Sequence, residues 1–151
     1  MSFLDSFDIS ASGMSAQRIR LDVAAENIAN VDTTRTEAGG PYRRKDVVLE
    51  SYGDNQSFAN VLRQARTGNA VTASGKRGVR VSEIVEDTRS FKRVYDPENP
   101  DADAEGYVRK PNVDVLKETV DSMSATRSYE ANVTVLNAMK QMIAKAEEIG
   151  R

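Results

Sequence analysis

The sequence lacks cysteine, histidine and tryptophan altogether. Without cysteine or histidine, the chain has few of the usual ligands for zinc, copper or iron, and it lacks the commonest general base of enzymes. The absence of cysteine also suits a protein that leaves the cytoplasm and needs no disulfide bonds. We therefore expect no metal site, no cofactor and no catalytic residues.

Long apolar runs and a strong excess of one charge are missing as well. No apolar segment approaches the ~20 residues that a membrane-spanning helix needs. Asp5 and Asp8 stand near the N-terminus, where a secretory signal peptide would carry Lys or Arg. The 21 basic and 23 acidic residues give a net charge of −2, so no strong field favours nucleic acid or an anionic membrane. We expect neither nucleic acid nor a small-molecule substrate as a partner.

Both ends of the chain have the apolar periodicity of long helices. One helix is predicted over residues 2–30, and a second from an N-cap at Asn112 or Asp114 to Ile149. The first helix has an apolar residue at every seventh position, namely Phe7, Met14, Leu21 and Ile28. The second has an apolar stripe that consists of Tyr129, Val133, Leu136 and Ile143.

Each predicted helix also has apolar residues on its opposite side, which a helix on the surface of a globule usually lacks. The second helix would be ~55 Å long, whereas a compact chain of this size has a radius of gyration of ~15 Å. We therefore predict an elongated molecule whose helices contact partners on two sides. The alternative is a plain helical hairpin whose additional apolar residues have no such role.

The middle of the chain has the composition of short strands and loops. Strands are predicted at 42–50, 78–87 and 90–96, a short helix at 57–66, and an acidic loop at 96–106. The chain thus divides into an N-terminal helix (1–32), a β-rich insert (33–110) that contains a flexible loop at 51–77, and a C-terminal helix (111–151). The predicted fold class is α+β: two long terminal helices that form an antiparallel coiled-coil-like pair, with a small β-rich insert between them.

Three motifs in the insert suggest binding sites but fit them poorly. The segment GNAVTASGKRG has the wrong glycine spacing for a phosphate-binding loop. The acidic loop begins like a calcium loop but has Asn112 where a bidentate Glu is required. Arg43, Arg44 and Lys45 form a basic cluster, which we expect either to be solvated or to contact the acidic loop of a neighbouring copy.

Two motifs near the ends of the chain suggest a family. N-I-A-N at 27–30 follows Ala24 and Ala25 and precedes Thr33 and Thr34, and S-Y-E-A-N stands at 128–132. Both motifs, in this order and at these distances from the termini, resemble the signatures of bacterial flagellar rod and hook proteins. Within that family, the segments 7–18, 33–44 and 84–114 look like the proximal-rod proteins.

The resemblance implies a non-enzymatic subunit of the flagellar basal body, located in the rod that spans the periplasm. It would polymerise through its terminal helices, transmit torque and be exported by the flagellar type III apparatus. The implied partners are further copies of the chain, the rod proteins FlgB, FlgF and FlgG, and the basal adapter FliE. The alternatives are a free-standing helical-hairpin binding module or adaptor, and an enzyme that acts through the acidic loop.

The polar residues of the two motifs have expected structural roles. Asn27 and Asn30 can bond to the backbone where the first helix ends, and both tolerate left-handed geometry. Asn132 is a candidate for setting the register among apolar neighbours. The predicted assembly residues are Phe7, Met14, Leu21, Asn27, Ile28, Asn30, Tyr129, Asn132, Val133, Leu136, Met139 and Ile143.

Overall fold

The first helix, α1, covers Phe3–Ala29 and ends where the N-I-A-N motif predicts. The computed structural model describes residues 3–37, 39–53, 62, 66 and 77–149. At the end of α1, the Asn30 side chain donates to the Glu26 carbonyl oxygen (2.9 Å), and the Thr33 hydroxyl donates to Asn30 Oδ1 (3.1 Å). Asn30 thus bonds to the backbone as expected. The left-handed geometry is not used, because no non-glycine residue in the described part has a positive φ.

The second helix, α2, covers Val115–Ile149 and is preceded by the predicted N-cap at Asp114. The Asp114 carboxylate accepts a hydrogen bond from the Leu116 amide (3.1 Å), which satisfies one of the unpaired N–H groups of the first turn. With 35 residues, the helix is ~52 Å long. The predicted length is therefore confirmed.

The two helices contact each other and run antiparallel. Asn27, at the end of α1, bonds to Glu118 at the start of α2, and Gly13 lies against Asn132, halfway along α2. Of the described elements, α2 contacts α1 alone. The buried residues of α2 recur at multiples of seven positions and are Glu118, Ala125 and Met139; the half-buried Asn132 continues the same line.

This seam combines small and polar residues. A Cβ atom at Gly13 would stand 3.1 Å from Asn132 Nδ2, so the glycine allows the two helices to approach closely here. Ala125 is buried opposite α1, and large side chains at such positions would hold the helices apart. The predicted stripe lies partly elsewhere, because Tyr129 and Ile143 are exposed and Val133 and Leu136 are only half-buried.

Between the helices, the insert forms two antiparallel two-stranded sheets. Strand β1 (Lys45–Gly53) pairs with β2 (Arg77–Glu86) in a register that shifts between Val48 and Leu49. Strand β3 (Lys92–Tyr95) pairs with β4 (Tyr107–Lys110). The α+β class and three predicted strands are confirmed, whereas β4 was not expected.

The first sheet is attached to α1 by a serine. Ser12 Oγ accepts a hydrogen bond from the Val79 amide (3.1 Å), and a Cβ atom at Gly78 would lie 2.8 Å from the same oxygen. A side chain at position 78 would therefore displace the Ser12 hydroxyl and break this attachment. Both ends of the predicted 51–77 loop belong to strands, and its remainder, with the helix predicted at 57–66, falls almost entirely outside the described residues. No helix in the described part is long and apolar enough to cross a membrane.

Candidate functional site

A buried polar joint connects the end of α1, the start of β1 and the start of α2. It consists of Asn27, Tyr42, Arg44, Asn112 and Glu118, each of which is less than a tenth exposed. These residues come from three distant parts of the sequence. The joint therefore determines how the insert is oriented on the helix pair.

Asn27 uses its whole hydrogen-bonding capacity within this joint. Its Nδ2 donates to the Lys45 carbonyl oxygen (2.9 Å) and to Glu118 Oε2 (3.0 Å). Its Oδ1 accepts from the Tyr42 hydroxyl (3.0 Å) and from the Lys45 amide (2.9 Å). An amide offers two donors and one oxygen with two lone pairs, so the side chain is saturated. The bond to Lys45 extends the role predicted for Asn27, because the backbone that it binds belongs to β1.

Arg44 and Glu118 form the buried ion pair of the joint. Arg44 Nε donates to Glu118 Oε1 at 2.6 Å, and Arg44 also pairs with Asp46 at 3.1 Å. Asp87 and Asp121 lie within 4 Å of the same guanidinium. Burial alone would lower the pKa of Arg44, but the hydrogen bonds to Glu118 and Asp46 outweigh it and raise that pKa. The guanidinium thus stays charged and keeps the carboxylate paired.

Tyr42 enters the joint as a neutral hydrogen-bond donor. Burial of the phenol, followed by the charges of Glu26 and Glu118, raises the pKa of Tyr42 to about 12. Its hydroxyl donates to Asn27 Oδ1, and an ionised phenolate could not make that bond. Burial, together with the neighbouring carboxylates, therefore favours the protonated hydroxyl that makes this contact.

Asn112 ties the segment before α2 to the residue before β1 and to the connection between β2 and β3. Its Oδ1 accepts from the Arg44 amide (2.9 Å), and its Nδ2 lies near the carbonyl oxygens of Asp87 (3.3 Å) and Arg89 (3.4 Å). Hydrogen bonds from the Arg89 side chain and amide lower the pKa of Asp87 to about 2. Within the described residues, no buried side-chain polar atom lacks a partner. The joint is thus a satisfied network.

The gap between the charged residues of the joint is small. The cavity beside Asn27, Arg44 and Glu118 has a volume of about 30 Å³, which is enough for roughly one water molecule. No group of His, Asp or Glu side chains in the described part could hold a metal ion. The chemistry of this cluster is therefore that of a structural joint.

The basic cluster is bound within its own chain, which corrects one prediction. Arg44 is buried against Glu118, Lys45 pairs with Glu26 at 2.5 Å, and the Arg43 guanidinium lies 4.5 Å from the centre of the Phe91 ring. Arg44 is therefore not available to the acidic loop of a neighbouring copy. The loop itself has partners in the same chain, since Asp103 and Glu105 pair with Arg93 at 3.4 Å.

The second candidate site is an exposed apolar stripe along α2. Leu116, Met142 and Ile149 are 75%, 57% and 85% exposed, and the stripe continues between them at steps of three or four residues. All ten positions are exposed, which is unusual for a contiguous apolar surface of a monomeric protein. The members of the exposed stripe are Leu116, Val120, Met123, Arg127, Ala131, Val135, Ala138, Met142, Ala146 and Ile149.

The other predicted assembly residues lie around the seam. Phe7, Met14, Leu21 and Ile28 are half-buried on α1, and Asn30 is half-buried at its end. Met139 is buried against α1. The structure brings Asn27 into the joint and Asn132 against Gly13. The sequence analysis did not identify Glu118 or Tyr42 as site residues. The signal for Tyr42 was its place, with three basic residues, shortly after the N-I-A-N motif. Glu118 had no such signal.

Comparison with known proteins assigns the two ends of the chain to one class. Residues 7–35 match the family model described as "Flagella basal body rod protein". Residues 104–149 match the one described as "Flagellar basal body rod FlgEFG protein C-terminal". The first match contains most of α1, including Asn27, and the second contains Asn112 and the whole of α2 with Glu118. Two terminal segments of this kind, joined through a buried polar network, define a flagellar basal-body rod protein.

Full-length relatives narrow the class further. The flagellar basal-body rod protein FlgC of Bacillus subtilis (strain 168) is 52% identical over the whole of both chains. FlgC of Escherichia coli O6:H1 is 43% identical, again over both whole chains. FlgC of Aquifex aeolicus is 38% identical over 98% of this chain and 97% of its own. The chain belongs to the FlgC family of flagellar basal-body rod proteins. It is a structural protein of the basal-body rod and not an enzyme.

Proposed function

We propose that the chain polymerises in the proximal rod through its terminal helices and that the assembled helices transmit torque across the periplasm. The observation that carries this proposal is the exposed stripe. Leu116, Met142 and Ile149 leave a large apolar surface in water in the isolated chain, and burial of that surface between copies would drive assembly. The helix pair would serve as a coiled-coil-like unit within the rod.

The buried polar joint supports torque transmission. A rod subunit must keep its insert fixed while force passes through its helices. Asn27, Arg44 and Glu118 connect the insert to both helices by short hydrogen bonds, and buried networks of this kind give a unique and rigid arrangement. The insert is therefore expected to move with the helix pair as one body.

The proposal includes specific neighbours. The partners are further copies of the chain, the rod proteins FlgB, FlgF and FlgG, and the basal adapter FliE, with delivery by the flagellar type III export apparatus. A marginally stable chain is easier to unfold for export, and the seam of small residues buries little apolar area per contact.

The test is to place a charge within the exposed stripe and, as a matched control, at the adjacent position. Val120→Glu and Met142→Glu are compared with Thr119→Glu and Gln141→Glu, all at exposed positions of α2. Each variant is the only copy in the cell, and complete rods are counted in isolated basal bodies. We expect the stripe variants to be exported without forming rods, and the controls to form rods normally. Normal rods with both stripe variants would overturn the proposal.

A further inference from the structure

The exposed stripe contains a single charged residue, and its position suggests which surface covers it. Nine of the ten stripe residues are apolar, and the tenth is Arg127 near the middle. Arg127 is exposed and has no ion pair or hydrogen bond with any described residue. An apolar interface that includes one Arg needs an acid on the facing surface, since an unpaired charge is costly once water is removed.

A surface with a suitable acid lies on the outside of α1. Ala11, Ser15, Arg18, Asp22, Ala25 and Ala29 are all exposed and follow one another at steps of three or four residues. Among the four acids of α1, Glu26 pairs with Lys45, and Asp5 and Asp8 have interactions of their own. Asp22 is the one acid of α1 without a partner among the described residues.

We propose that the exposed stripe of one copy packs on the outer face of α1 of a second copy, with Arg127 paired to Asp22 across the interface. This inference rests on the proposed function and names the partner surface. The charges are complementary, because Arg127 interrupts an apolar surface and Asp22 lies on a face that otherwise has mostly small side chains. The occupant of the stripe is thus a second copy of this chain.

The polarity of a helical polymer fixes the direction of this contact. Copies in a heterologous, open assembly all point the same way along its axis. Because α1 and α2 are antiparallel within one chain, α2 of the next copy also runs antiparallel to α1. With Asp22 level with Arg127, Ala29 lies level with Val120, and Ala11 lies level with Ala138. The same register places Arg18 beside Ala131 and next to Glu130 of the neighbouring copy.

The pair is expected to select the register, and the apolar stripe to supply the affinity. An exposed ion pair adds little binding energy by itself, but like charges placed opposite each other oppose association strongly. Reversal of one charge should therefore disrupt assembly far more than its neutralisation does. This difference separates a register-setting pair from a charge that serves only solubility.

Cysteine cross-linking tests the contact directly, since the natural chain has no cysteine. Two chains, one with Asp22→Cys and the other with Arg127→Cys, are produced in the same cells, so that any cross-link between them joins two copies. The control replaces Arg127→Cys by Thr126→Cys, which is exposed at the same level of α2 but lies outside the stripe. We expect about tenfold more cross-linked product than in the control, because disulfide geometry is restrictive. Equal amounts would overturn the proposed contact.

Charge exchange gives an independent readout. Asp22→Arg and Arg127→Asp should each reduce the number of complete rods about tenfold, and their combination in one chain should restore it to within about twofold. Both positions are exposed, so thermal unfolding of the purified chains should be unchanged. Normal rods with either single variant, or no recovery in the combination, would overturn the pairing. The proposed function fails separately, if the Val120→Glu and Met142→Glu variants form rods.

Discussion

Asn27 and Glu118 are 91 residues apart in the sequence, and the Asn27 side-chain amide donates a 3.0 Å hydrogen bond to the Glu118 carboxylate. Both side chains are almost completely buried. One contact therefore joins the end of α1 to the start of α2. Asn27 also binds both backbone polar groups of Lys45, so the first strand of the insert starts at the same point.

Asn27→Ala should destabilise the chain much more than Asn30→Ala. The first change removes four hydrogen bonds and leaves buried partners without theirs, at a cost of about 3 kcal/mol. The second removes two half-buried helix-end contacts, with Glu26 and Thr33, which water can replace and which are together worth about 1 kcal/mol. Urea denaturation of the purified chains, followed by circular dichroism, measures both. Equal losses would show that Asn27 has no special role in the joint.

Removal of only one member of the Arg44–Glu118 pair should cost more than removal of both. Glu118→Leu leaves the buried Arg44 guanidinium without its nearest partner, and the expected loss is about 3–5 kcal/mol. Arg44→Met likewise leaves the buried Glu118 carboxylate without its cationic partner. The double variant should be clearly more stable than the sum of the two single losses predicts. Additive losses in the double-mutant cycle would mean that the two side chains are not coupled.

Arg89→Gln should make the chain less stable, and only at a pH at which Asp87 is ionised. The pKa of Asp87 is about 2 in the folded chain, below its ordinary value of 3.8, mainly because Arg89 donates hydrogen bonds to it. A carboxyl whose pKa is lower in the folded chain than in the unfolded chain stabilises the fold at a pH above its unfolded-state pKa. That stabilisation is lost as the pH falls to its folded-state pKa. The difference between wild type and variant in urea should therefore shrink between about pH 4 and about pH 2. A difference that is constant over this range would exclude the linkage.

The Gly13–Asn132 contact predicts that the effect of Gly13→Ala on stability depends on the residue at position 132. Alanine is favoured over glycine within a helix by about 1 kcal/mol, but a Cβ atom at Gly13 would stand 3.1 Å from Asn132 Nδ2. Gly13→Ala should therefore stabilise the chain more in an Asn132→Ala background than in the wild type. Thermal unfolding of the four chains measures this difference. An equal effect in both backgrounds would show that the helices do not require a glycine at this crossing.

The helices and most strands were predictable because their signals are local. Apolar periodicity and the cap at Asp114 identify α1 and α2 without knowledge of the rest of the fold. Strand β4 was not predicted because Tyr107–Lys110 is only four residues long and lies between Gly106 and Pro111, whereas Phe91 extends the apolar pattern of the equally short β3. Its strand conformation depends on pairing with β3, which the composition of the segment does not reveal.

The joint could be predicted only in part. The N-I-A-N motif identified Asn27 as a residue that binds the backbone, but its partners depend on tertiary contacts. Arg44 and Glu118 are charged residues 74 positions apart, and charged residues are usually exposed unless they are paired. No pattern within either segment indicates that they meet. The seam was predicted only in part, because Asn132 was expected among apolar neighbours and lies against Gly13, whereas the burial of Ala125 was not expected.

Folding of this chain has to wait for its last third. Until Asn112 and Glu118 are present, Arg44 and Asn27 lack part of their buried partners, and a nascent chain that ends before them cannot complete the corner where the insert meets the helices. The Asn27–Glu118 contact closes a loop of about 90 residues. Such long loops close slowly, since the entropy of the intervening residues is lost before the contacts form. Residues near position 27 therefore reach their final order only after the segment near position 118 has been synthesised and has packed against them.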